Sequence, residues 1–136
     1  MLRSLLSTVI GVLAAVLIVL IMQALAGVLF PAGKAYDPDA PAAEIANYIA
    51  SQPLPALLWG LLGDAMGATG GVFVAAHYAQ PNRLPAVIVS VFLIVGMISN
   101  VTALPYPIWL SIASVAAVTI GALTGFGLSA GRPAKS

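Results

Sequence analysis

The sequence predicts an all-α integral membrane protein, a four-transmembrane-helix bundle with a short amphipathic helix in the first external loop. Three observations predict it. Of 136 residues, 61% are hydrophobic and only 7% are charged, against about 25% charged in an ordinary soluble domain. The apolar residues gather in four runs, each close to the roughly 20 residues a helix needs to cross about 30 Å of hydrocarbon. The joints between the last three runs are short and rich in turn residues, which forces antiparallel neighbours.

The chain reads as a single membrane domain, residues 1–136. Its first run, about 5–30, carries no charge and at 1.5 Å per residue is longer than the bilayer core is thick, so it spans with tilt to spare. Arg3 and the Ala24-Leu25-Ala26 step also fit a secretory signal. The apolar segment of a signal has only about 7 to 15 residues, however, so the length predicts a retained helix. The later runs cover about 54–76, 84–101 and 108–128. His77 to Arg83 joins the second to the third, and Thr102 to Pro107 joins the third to the fourth.

Only the joint after the first helix is long. Asp37-Pro38-Asp39-Ala40-Pro41 offers side-chain acceptors and prolines suited to starting a helix. The residues that follow, about 41–51, then read as amphipathic, with Ile45, Tyr48 and Ile49 along one side. Such a segment rests on the membrane surface or caps the bundle. Because Lys and Arg concentrate on the cytoplasmic side, Arg3, Arg83, Arg132 and Lys135 predict both termini inside, with Lys34 alone outside. Phe30, Tyr36, Tyr48, Trp59, Tyr106 and Trp109 then fall near the outer interface, as an aromatic belt does. The localisation expected is a bacterial inner membrane.

The second crossing carries the most specific pattern. Gly60, Gly63, Gly67, Gly70 and Gly71 share one helical face, and three of them form GxxxGxxxG. Lipid supplies no hydrophobic drive between helices, so small residues that let backbones approach provide the packing. The fourth crossing offers Ser114, Ala117, Gly121, Thr124 and Gly125 as a matching stripe, and the two stripes are expected to face each other.

Asp64 sits on the same glycine face, about 15 Å from Leu54 by helical rise, near the bilayer centre. An acidic residue there costs roughly 2.5 to 3.5 kcal/mol, while each Leu, Val or Phe returns only about 0.3 to 0.6. The eight such residues in that run roughly offset one Asp. Gln23 lies at similar depth, about 10 Å in from Phe30, and its amide can donate to a carboxyl. Ser114 and Thr119 in the fourth crossing complete the candidate intramembrane polar site. Two roles are open to Asp64. It lines a cavity and holds a proton, cation or polar substrate group, as intramembrane ionisable residues often do. Otherwise it bonds Gln23 and joins two helices.

Composition narrows the remaining chemistry. With no cysteine, disulfides and thiolate sites are excluded. A net charge of +1 without a basic cluster predicts no nucleic-acid partner. His77 is the only histidine, too few for a metal centre of three or four ligands, and it lies too near the surface to activate a nucleophile. The sequence therefore predicts no catalytic residues, no metal and no cofactor. The partners it predicts are the bilayer and, through the glycine faces, further copies or a larger membrane complex.

The stretch Gln23-Ala24-Leu25-Ala26-Gly27-Val28-Leu29-Phe30-Pro31, the entry Pro53-Leu54-Pro55, and Gly67-Ala68-Thr69-Gly70-Gly71-Val72-Phe73-Val74-Ala75-Ala76 resemble small bacterial four-helix inner-membrane proteins over nearly the whole chain. These are packing and turn motifs, so the resemblance implies a fold and no activity. Proteins of that kind would be expected to carry an acidic residue where Gln23 stands. Two function classes follow from the residues. One is a non-enzymatic structural or accessory subunit of a membrane assembly. The other is a small transporter or channel component that uses Asp64.

Overall fold

The computed structural model describes residues 2–30, 39–103 and 105–130. Five helices follow one another: α1 (Leu2–Leu29), α2 (Ala42–Ser51), α3 (Leu54–Ala79), α4 (Leu84–Ala103) and α5 (Ile108–Ala130). All but α2 are long and apolar enough to cross a membrane. Lys34, Tyr36, Asp37, Arg132 and Lys135 lie outside the described residues.

The spans run slightly past their apolar cores, because a helix continues until a residue denies it a hydrogen bond. α3 extends through Ala79, since no proline intervenes before Pro81. α4 starts where the Asn82 side-chain oxygen accepts the Leu84 N–H at 3.0 Å, an acceptor for one of the orphan donors of a first turn. The start of α2 differs from the expectation. Its N-cap is Pro41 with no side-chain cap, and the Pro41 carbonyl accepts the N–H groups of Glu44 and Ile45.

The least apolar span, α3, is the central one, touching α1, α4 and α5. Among these helices α1 and α5 are not neighbours. The expected pairing of the α3 glycines with the α5 stripe is corrected by the structure. Gly63, Gly67 and Gly71 pack on α1. A Cβ on Gly71 would lie 2.7 Å from the Gly11 carbonyl and from Ala15 Cβ, and one on Gly67 would lie 2.7 Å from Val19 and 3.1 Å from the Ala15 carbonyl. The surface that α1 offers in return is Ser7, Gly11 and Ala15, all buried and spaced by four, a small-xxx-small series. Gly121 and Gly125 of α5 press against the Ala65 and Thr69 carbonyls, on a different face of α3.

Two of the predicted packing glycines behave otherwise. Gly60 is exposed, and an added Cβ there meets nothing within 4 Å. Gly70 meets only the Ile18 side chain, a flexible tip rather than backbone.

The bundle is tight at one end. Val72, Ala75 and Ala76 of α3 are buried with Ala86 and Val89 of α4 and Ala122 of α5. There Arg3 Nε donates to the Tyr78 carbonyl at 2.8 Å, Asn82 Nδ2 donates to Ser4 Oγ at 3.1 Å, and the Arg83 guanidinium lies 5.0 Å from the Phe126 ring centre. At the other end α4 loses its packing, while Met22 of α1, Gly63 of α3 and Leu110 and Ser114 of α5 stay buried. Beyond Val89 no residue of α4 is buried. α2 covers this end, as a cap expected from its sequence does. Ile45 and Ile49 are buried with Leu110, and Leu57, Leu61 and Tyr106 pack around them.

Candidate functional site

Asp64 stands where the tight half of the bundle meets the half in which α4 has lost its packing. Its helix places it one turn beyond Gly60 and one turn before Ala68. Ala68 is buried, whereas Gly60 is bare. The carboxyl therefore has packed protein on one side and open space on the other. Among the described residues it makes no hydrogen bond or ion pair.

Among the described residues, three cavities converge on it. The first, about 280 Å³, runs from Asp64 and Gly60 to Tyr48, Ile49 and Gln52, so α2 forms its roof. A second, about 220 Å³, lies between α1, α3 and α4 and is lined by Gln23, Trp59, Asn100 and Asp64. The third, about 390 Å³, is a mainly apolar groove between α1 and α4 with Asp64 at its base. Volumes of this order approach or match the roughly 300–1,000 Å³ of small-molecule sites.

The structure brings Gln23, Asp64 and Ser114 to one cavity. No bond joins Gln23 to Asp64 among the described residues, so the linkage expected from their depths is absent. Ser114 is only 4% exposed. Ser7, Thr8, Ser90 and Thr124 each donate to the carbonyl four residues back, as hydroxyls in apolar helices do. Ser114 makes no such bond among the described residues, and it lines both cavities on the α2 side of Asp64. Thr119 is not part of this group. Its hydroxyl donates to the Val115 carbonyl at 2.8 Å, and it lines none of the three cavities.

Asn100, Gln52 and Tyr106 also line the site, though sequence reasoning did not select them. For Asn100 a signal existed. Phe92, Gly96 and Asn100 are spaced by four, which puts them on one face of α4, and all three line the α1–α4 groove. Trp59 fixes the neighbouring wall. Its indole Nε1 donates to the Met22 carbonyl at 2.9 Å, and its ring centre lies 6.4 Å from that of Phe30.

His77 is remote, about 20 Å from Asp64 by helical rise. It stacks on Phe73, with ring centres 5.8 Å apart, and meets Tyr78 edge-on. Among the described residues no group of three His, Asp or Glu side chains could hold a metal.

Fold and site together define a multi-pass helical membrane protein with an acidic residue at the meeting point of intramembrane cavities. No protein-family model, curated protein or solved structure matches the chain.

Proposed function

We propose that this protein is a non-enzymatic small transporter or channel component of a bacterial inner membrane, in which Asp64 binds a proton or the cationic group of a solute. The observation that carries this reading is the convergence of three cavities on a carboxyl with no partner among the described residues. A carboxyl kept for packing would be bonded to a neighbouring helix, because an unsatisfied polar group in hydrocarbon costs several kcal/mol. Here α1 and α3 associate through their small residues without help from Asp64. Gln23, Ser114 and Asn100 supply the neutral hydrogen-bonding groups that complete a polar lining. The charges at the two ends support an orientation with the α2 end outside. Arg3 and Arg83 are at the tight end, and Glu44 is on α2.

The alternative, an accessory subunit in which these residues serve assembly, predicts a different response to substitution. The test is Asp64→Asn in proteoliposomes, with flux and oligomeric state measured on the same preparation. Proton or monovalent-cation flux is expected in the wild type and a loss of at least tenfold in the variant, with assembly unchanged. No flux from the wild type, or a variant that loses assembly, would overturn the transport reading in favour of the structural one.

A further inference from the structure

The largest of the three cavities differs from the others in where it opens. α1 and α4 touch at the level of Gly11 and Val89, where a Cβ added to Gly11 would lie 3.2 Å from Val89. Beyond that level the groove begins. Its rim residues Val16, Leu20 and Phe92 are 47%, 56% and 58% exposed. They lie within the apolar spans, so the solvent they meet is acyl chain rather than water. Asp64 is at the base, and among the described lining residues Asn100 is the other side chain with nitrogen or oxygen atoms.

This combination sets the occupant's chemistry. An occupant apolar along its length fits against Val16, Leu20 and Phe92, and a positive charge complements Asp64, because among the described residues no basic side chain lines the groove. An anionic lipid would set its phosphate against a carboxylate with no cation between them. Resting on the Asp64 reading above, we propose that the groove between α1 and α4 admits a single-chain lipophilic cation directly from the bilayer, its charged head on Asp64 and its chain along the rim. The cavity beneath α2 is a second approach to Asp64.

Each route has its own bare glycine. Gly96 lines the groove, and Gly60 lines both cavities on the α2 side. An added Cβ meets nothing within 4 Å at either position, so a side chain can start there without striking backbone. The experiment measures binding of radiolabelled decyltrimethylammonium to the full chain in nanodiscs, with binding to empty nanodiscs subtracted. Decyl sulfate and tetramethylammonium serve as the anionic and chain-less comparisons.

Saturable binding of decyltrimethylammonium, and none of decyl sulfate, is expected in the wild type. Gly96→Phe should weaken it at least tenfold, as should Val16→Trp at the rim, which guards against misfolding of the first variant. Gly127→Phe, at an exposed and equally bare glycine of α5 that lines none of the three cavities, should leave it within threefold. Unchanged binding in both groove variants, equal binding of decyl sulfate, or displacement by tetramethylammonium at equal concentration would overturn the proposal. If Asp64-dependent flux persists while decyltrimethylammonium fails to bind, the lateral route falls and the transport reading stands. If neither is observed, both fall.

Discussion

Asp64 shows how far one residue can be read without coordinates. An acid in an apolar run is visible in the sequence, and helical rise places it at mid-membrane. Depth points to Gln23, depth and the small-residue stripe to Ser114, and both line its cavities, whereas Thr119, at a similar depth but off the stripe, does not. Depth fixes height along the membrane normal and leaves the direction of the side chain open. Thr69 illustrates the same gap. Its hydroxyl lies 2.8 Å from the Ala65 carbonyl and 3.0 Å from the Gly121 carbonyl, sharing one proton between its own helix and α5. Thr69→Val should lower stability by about 0.6 kcal/mol, the average for an interhelical hydrogen bond in a membrane. Reversible unfolding in mixed micelles would check it, and a change above roughly 2 kcal/mol would mean the residue does more than this bond.

At the scale of the helix, the glycines of α3 divide by what stands opposite them. Gly71 faces the Gly11 carbonyl and Ala15, and Gly67 faces Ala15 and Val19, so neither has room for a larger residue. Gly67→Leu and Gly71→Leu should each destabilise the bundle by about 1 to 3 kcal/mol through overpacking. Gly60→Leu should be tolerated within about 0.5 kcal/mol, as substitutions away from packed features usually are. Thermal unfolding of the three variants side by side decides this; equal losses would mean that a place on the glycine face, and not the opposing backbone, governs the effect. The sequence displayed both glycine stripes but not their partners. A stripe declares that something approaches closely, and α1 answered with Ser7, Gly11 and Ala15, a quieter pattern inside an almost uniformly apolar helix. For α2, the alternation of Ile45 and Ile49 was legible, whereas the cap was not, because the Pro41 carbonyl took the role expected of a side chain. Ile45→Ala and Ile49→Ala together should loosen α2 and leave the spans intact. Amide exchange should then accelerate in 42–51 alone, and faster exchange throughout α3 would show that α2 supports the bundle.

For the molecule as a whole, composition and run length sufficed for the class of fold, since nine charges in 136 residues leave lipid as the only solvent for four apolar helices. The arrangement of those helices was beyond their reach. That α3 is central, and that α1 and α5 never meet, depends on which faces match, a property of pairs. Four crossings would bring the two ends of the chain to the same side, and the Arg3 and Arg83 end should be cytoplasmic. Reporter fusions at either terminus should therefore be active only as cytoplasmic reporters, and opposite results at the two ends would remove one crossing. The uneven burial of α4 has a mechanical meaning. Its first turns are clamped by Ala86 and Val89, while its remainder borders the groove. Any tilt of such a helix would have its fulcrum at Val89. Tilting it disturbs the clamp least and moves Asn100, about 16 Å further along, the most, so the width of the passage beside Asp64 can change while the far end of the protein holds still.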